Sequence, residues 1–415
     1  MVKKKRIQKI QPKLAYEKSL AFLHTCSKKE GFLASVTEKY NYRRIWGRDG
    51  VIIGISSLMS GDKKLINVFK SNLETLAKYQ GKHGQIPSNV SLGEEVRVSY
   101  GMTYGRVDAT LLFIIGCGQY IKATNDTAFL KKNLPSITRA MNIAEAWEYN
   151  QKGFIFVPPT GDWADEMPRS GYILYDQILY FGAVSEYGSL LKLLHKDNHY
   201  WHEKAQRLKA RITTNFWPNT KTTHKSSIYH PEMFLQTYSN PKEKQKYWKE
   251  AFPSIFNGKF DAFANILALL FDLSTKEQAE SVIRFFSKIL GAKYLVPAFY
   301  PVVHARERKK WAQMQCSYSF TFKNKPYHFH NGGLWPMLTG FYIAALVKYG
   351  KKSLARKYLD TLNYANSIGG DGSHWGFYEY HHGQKKTPEG TSGVAWSAAG
   401  GVIGYASIHG KKIFL

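Results

Sequence analysis

The chain has 415 residues, 44% of them hydrophobic and 21% charged, which is ample for a large buried core and excludes a globally disordered protein. Its formal charge of +27 raises nucleic-acid binding, but lysine and arginine are spread along the whole length instead of forming one stripe, so the reading is no nucleic-acid partner. Three cysteines at Cys26, Cys117 and Cys316 match no metal spacing, and no 18-residue apolar run occurs, which points to a cytoplasmic protein with no membrane partner.

Residues 1–12, with the run Lys3-Lys4-Lys5-Arg6, read as a basic disordered tail, and residues 13–415 as a single domain. Apolar residues then recur at helical spacing over 14–29, 49–60, 62–80, 106–122, 127–149, 173–195, 199–216, 260–271, 275–290, 333–349, 351–366 and 394–408. Asp126 precedes one of these helices, and Ser274 stands three residues before Glu277 in the pattern of a capping box. Gly350 is placed to stop a helix in the left-handed conformation. Short β pieces are expected near 154–160 and 295–304. The implied class is all-α: helical hairpins closed into a ring, with elaborated loops on one face.

Those loops concentrate Trp, Tyr, His, Asp, Glu, Gly and Pro, and loops on a rigid scaffold carry function. Aromatics make up 15% of the chain, with 10 Trp and 27 Tyr, which serves both core packing and the stacking of sugar faces. In Trp46-Gly47-Arg48-Asp49-Gly50, Arg48 and Asp49 can hydrogen-bond sugar hydroxyls, with Asp49 capping the helix that follows. Asp108 in Tyr104-Gly105-Arg106-Val107-Asp108 is a second carboxylate at a helix start. The segment Thr160 to Tyr172 holds Asp162, Asp165 and Glu166 beside Trp163 and Arg169, and a carboxyl among apolar walls or like charges is a candidate general acid. In His330-Asn331-Gly332-Gly333-Leu334-Trp335 the polar and aromatic side chains suit a pocket wall. Near the C-terminus, His374 to Gly383 sets Glu379 among aromatic and imidazole neighbours, with Glu389 and Trp396 beyond it. The histidines there lack the spacing of a metal site, and the chemistry requires neither metal nor cofactor. Two carboxyls about 6.5–9.5 Å apart are what an inverting glycosidase needs. A carbohydrate-binding scaffold without activity is the alternative from another class.

Taken in order, these motifs resemble the (α/α)6-barrel, six-hairpin glycoside hydrolases, in the group of neutral/alkaline invertases and amylo-α-1,6-glucosidases, from about Tyr42 to Tyr405. Asn41 to Asp49, His330 to Pro336, Tyr378-Glu379-Tyr380 and Trp396 to Gly400 are similar to the invertases. Gly47-Arg48-Asp49, Gly84-Gln85-Ile86-Pro87 and Val107 to Leu111 are similar to the debranching glucosidases. The resemblance implies Glu379 as general base and, from Trp163-Ala164-Asp165 followed by Pro168-Arg169-Ser170-Gly171, Asp165 as general acid, with Asp162 as the fallback. It implies an oligosaccharide or disaccharide substrate with an α-glucosidic bond, or sucrose. Trp46, Arg48, Asp49, Asp108, Asp162, Trp163, Arg169, His330, Asn331, Trp335, Glu389 and Trp396 are then substrate-binding candidates. Truncating Arg48, Asp49, Asp108, Trp163, His330, Asn331 or Trp335 is expected to weaken substrate binding more than it unfolds the protein.

Overall fold

The computed structural model describes residues 10–217, 225–232, 234, 245–252, 258–290, 294–369 and 375–415. Among them are thirteen helices: α1 Pro12–Cys26, α2 Gly47–Ser60, α3 Lys63–Lys78, α4 Asp108–Thr124, α5 Thr127–Ala146, α6 Leu174–Leu193, α7 His199–Phe216, α8 Ala262–Leu270, α9 Lys276–Leu290, α10 Arg308–Gln315, α11 Pro336–Lys348, α12 Lys352–Ser367 and α13 Ala395–Ile408. Each expected helix is present within a few residues. The exception to the pattern is α10, whose sequence is strongly basic and which buries only Met314, so no apolar period announces it. Most of the basic tail, residues 1–9, lies outside the described residues, and Pro12 already belongs to α1.

Six helices close a ring in which each packs on the next: α2 on α4, α4 on α6, α6 on α8, α8 on α11, α11 on α13 and α13 back on α2. These inner helices are apolar nearly all round, as burial on every side requires; all nine residues of α8 are buried. Around them α3, α5, α7 and α12 run as an outer layer, and α1 covers α13 and α12. The outer helices are amphipathic: α3 turns Leu65, Phe69, Leu73 and Leu76 inward and leaves its charges in water. α11 and α13 approach backbone to backbone, because a Cβ on Gly340 would lie 2.3 Å from the Gly400 carbonyl oxygen.

Caps follow local chemistry. The Asp126 side chain accepts from the Phe129 amide at 2.9 Å, starting α5. The capping box of α9 sits one residue later than expected: Thr275 Oγ1 accepts from the Gln278 amide at 3.3 Å while Gln278 Oε1 accepts from the Thr275 amide at 2.8 Å. Ser274 is instead the acceptor for Trp248 Nε1 at 3.0 Å. Gly350, at φ 73°, ends α11.

Inner helices begin at one end of the ring, after short extended segments. Ile45–Trp46 pairs with Asn89–Leu92, and this with Val96–Ser99, before α2. A four-stranded antiparallel sheet in the order Pro388–Glu389, Tyr380–His381, Leu334–Trp335, Val296–Pro297 precedes α11 and ties Glu379 to the same end.

Candidate active site

At that end lies a pocket enclosing about 790 Å³ of free space, part of it open to solvent. Among the residues around it are Trp46, Arg48, Asp49, Trp163, Asp165, His330, Trp335, Glu379 and Trp396, drawn from separate stretches of the sequence. Glu379 immediately precedes the strand Tyr380–His381 and is 4% exposed. Tyr42 donates a short hydrogen bond to its Oε1, and the Thr391 amide donates to Oε2 at 3.2 Å. Burial raises the Glu379 carboxyl; Lys323 and the Tyr42 and Thr391 bonds oppose the shift without cancelling it. A carboxylate so fixed, with the proton affinity of a buried group, can accept a proton from a water.

Asp165 faces two guanidinium groups. Arg106 Nη1 stands 2.5 Å and Arg48 Nη2 3.5 Å from its Oδ2. Burial pushes this carboxyl up, but Arg106 and then Arg48 outweigh it and bring it below the ordinary carboxylate range. The next residue behaves oppositely. Glu166 Oε1 accepts from Lys323 Nζ at 3.0 Å and Ser319 Oγ at 3.1 Å, and Oε2 is buried with no partner. Burial raises its carboxyl to about 7, with Lys323 opposing and Asp165 adding to the rise. Adjacent carboxyls with opposite shifts are the arrangement in which one holds charge and the other holds a proton near neutrality.

Aromatic rings wall the pocket. His330 stacks on Trp335 with centroids 5.4 Å apart and planes 1° from parallel, and Trp163 meets both edge-on. Trp396 packs edge-on against Trp335 at 5.4 Å. Burial lowers His330 to about 3, so the ring is neutral, and its Nδ1 has no partner. Trp396 Nε1 is also without one.

Five of the expected binding residues lie elsewhere. Asp108 is fully buried behind Arg48 and accepts from its Nη1 at 3.0 Å. Arg169 is buried among three carboxylates, 2.7 Å from Asp162, 2.7 Å from Asp261 and 3.2 Å from Glu250. Asp162 therefore neutralises an internal cation outside the pocket, which removes it as the fallback acid. Asn331 pins a loop: its Oδ1 accepts from the Val303 amide at 2.7 Å and its Nδ2 donates to Val303 O at 2.8 Å. Glu389 is half-buried in the edge strand, where it accepts from Thr387 Oγ1 at 3.2 Å. The N-cap residues of α2 and α4 are Trp46 and Val107; Asp49 and Asp108 stand in the first turns, where the Asp49 carboxyl takes a bond from its own amide. His382 Nδ1 accepts from the Gln384 and Lys385 amides, serving a turn, and His374 lies outside the described residues. Trp163 and Trp335 are buried to 0% exposure, so truncating either costs about 3–5 kcal/mol of stability, contrary to the expectation of a mainly binding effect.

Tyr42, Arg106 and Lys323 escaped the sequence reading as site residues, while Glu166 was read only as one of the three acids of the candidate general-acid segment. A signal for Arg106 was present, since Gly105-Arg106 stands before α4 much as Gly47-Arg48 stands at the start of α2, and both arginines reach Asp165. Lys323 sits in a loop with no motif to mark it.

The chain is 22% identical over 370 residues to the probable alkaline/neutral invertase D of Arabidopsis thaliana, covering 78% of this chain and 68% of the relative. It is equally similar, at 22% over 371 residues, to the probable alkaline/neutral invertase F of the same plant, covering 78% and 72%. Among solved structures, the fold is similar to the GH63 mannosylglycerate hydrolase of Thermus thermophilus in complex with Tris, with a TM-score of 0.65 at 12% identity over 94% of this chain and 99% of that one. A bacterial glucoamylase complexed with acarbose superposes at a TM-score of 0.68 and 13% identity, covering 97% and 56%. Among the described residues no helix is long and apolar enough to cross a membrane. The sequence model of amylo-alpha-1,6-glucosidase matches residues 17–402, and the chain belongs to that family of glycoside hydrolases, with the six-hairpin fold.

Proposed function

We propose that this enzyme cleaves an α-glucosidic bond of an oligosaccharide with inversion, Glu379 serving as general base and Asp165 as general acid. The observation that carries the reading is one pocket in which a Tyr42-oriented Glu379 and an arginine-held Asp165 share indole walls. Glu379 takes a proton from water as the oxygen attacks the anomeric carbon; the acid gives a proton to the leaving glycosidic oxygen. With Arg106 and Arg48 on Oδ2, Asp165 must be loaded with a proton before it can act. Glu166, which holds a proton near pH 7, is its immediate neighbour. That observation favours a second reading in which Glu166 is the donor and Asp165 the charge that keeps it protonated. The relatives named as invertases make sucrose the second substrate to test. The thiols of Cys26, Cys117 and Cys316 suit a reducing cytoplasm.

The test is hydrolysis of isomaltose, panose, maltotriose and sucrose, alongside α-glucosyl fluoride, whose leaving group needs no proton. Glu379→Gln should abolish turnover on all of them. Asp165→Asn should lose about 10²-fold or more on the sugars and far less on the fluoride. If Glu166→Gln instead shows that selective loss, the donor is Glu166. Full activity in Glu379→Gln overturns the reading.

A further inference from the structure

The segment 317–323, which follows α10, borders the pocket through Ser319, Phe320 and Lys323. Its tip residue Phe320 stacks on Tyr40, from the loop before α2, with centroids 4.8 Å apart and planes 25° from parallel. Both rings line the pocket and both face water: Phe320 is 66% and Tyr40 43% exposed. Both residues also adopt the left-handed backbone conformation, at φ 63° and φ 56°, which is uncommon for aromatic side chains and concentrates at functional sites.

Below the tip the segment is anchored. Ser319 Oγ donates to Glu166 Oε1 at 3.1 Å and lies 3.0 Å from Met102 Sδ. Lys323 Nζ reaches Glu166 Oε1 and lies 5.4 Å over the Tyr40 ring, and Asn324 Nδ2 donates to Glu166 O at 2.8 Å. Met102, 55% exposed, also lines the pocket on this side. The other lining residues include inner-helix starts such as Arg48 and Trp396 and buried loop residues such as Ser88, whereas this side is two exposed rings from separate loops.

We propose that the Tyr40–Phe320 stack is a specificity-determining clasp that restricts the enzyme to short glycosides, of a size that fits wholly beneath it, and excludes the interior and branched ends of long glucans. The inference rests on the glycosidase reading above and narrows its substrate class. A polymer-cleaving site needs a groove through which the chain continues past the scissile bond. Here two stacked, solvent-exposed rings line the open side of the pocket, where such a chain would have to pass. Apolar rings that close over a sugar also exclude bulk water from it.

The test compares wild type, Phe320→Ala and Tyr40→Ala on a series of α-glucosides from two to five units. Hydrolysis is read as kcat/KM, and binding is read by calorimetry in the Glu379→Gln background, which keeps the clasp but removes turnover. For wild type, kcat/KM and affinity should both fall at least 10-fold from the disaccharide to the pentasaccharide. Either clasp variant should reduce that ratio toward one, mainly by improving the longer substrates. Equal use of all lengths by wild type overturns the clasp, as does a ratio unmoved in both variants when their melting temperatures match wild type. If length-dependent binding is found but wild type cleaves nothing, the clasp stands and the hydrolytic assignment falls. Absence of both binding and cleavage for every sugar overturns both.

Discussion

Arg169 shows how one side chain can be mistaken for another kind of part. It follows an acidic, Trp-containing loop, but it is the buried hub of Asp162, Glu250 and Asp261. One guanidinium cannot balance three ionised carboxylates in a dry interior, so the cluster retains a proton. Burial raises Glu250 to about 8, against the pull of Arg169. Its folded pKa therefore lies above the unfolded value, the native state binds more protons, and stability falls as pH rises through the window up to about 8. Glu166, raised to about 7, acts in the same sense, while His330 and His381, lowered to about 3 and about 4, oppose it only below their unfolded value near 6.5. The melting temperature should thus drop between about pH 6.5 and 8, and Glu250→Gln, a mimic of the protonated form, should flatten that drop; an unchanged slope rejects the assignment. Arg169→Met should lose about 3–5 kcal/mol in denaturant unfolding, because it strands buried acids. The sequence marked the acids, Trp163 and Glu379 as chemistry because unusual residues crowd together there. It could not show which acids face a cavity and which face an arginine, since that depends on loops meeting from positions such as 48, 106 and 323.

At the level of elements, the helices were legible because their burial is periodic or complete. Outer helices such as α3 carry the stripe, and inner ones such as α8 carry an unbroken apolar run. Helix α10 was not legible, being eight residues of mostly polar side chains held by Met314 and the Trp311–Phe322 contact. Helix ends were readable to within a few residues, and the cap of α9 missed by one: Thr275 and not Ser274 caps it, because Ser274 is occupied by Trp248. Thr275→Ala should cost about 1 kcal/mol, measurable by denaturant unfolding, with Ser274→Ala leaving the α9 cap intact. The Gly340–Gly400 crossing of α11 and α13 is stiffer than any cap. Neither backbone can retreat, so Gly340→Ala should destabilise by about 1–3 kcal/mol or more, despite alanine's better helix propensity. A neutral outcome in thermal melts would mean that the helices can slide apart.

For the whole molecule, the arrangement that matters is that the inner helices begin together at the pocket. Each helix start carries roughly half a positive charge. Summed around the ring, they set up an electric field that is positive where the sugar sits. This favours ionised acids, and Asp49 and Asp108 occupy first turns, whereas at Asp176, also in a first turn, burial wins and pushes the carboxyl well up. The same field works against the reaction, because the breaking bond leaves an oxocarbenium-like cation on the sugar. First-turn carboxylates near the sugar then act as counterweights whose value grows as that cation forms. Asp49, which lines the pocket and is raised to about 6 by burial, is the one to test. Asp49→Asn at about pH 7.5 should lower kcat by about 10-fold or more with little change in KM, and a change confined to KM would mean that Asp49 only grips the sugar. A ring assembled from parallel inner helices thus hands its enzyme an adverse potential along with a rigid pocket, and the aspartates at the helix starts make that potential compatible with making a carbocation.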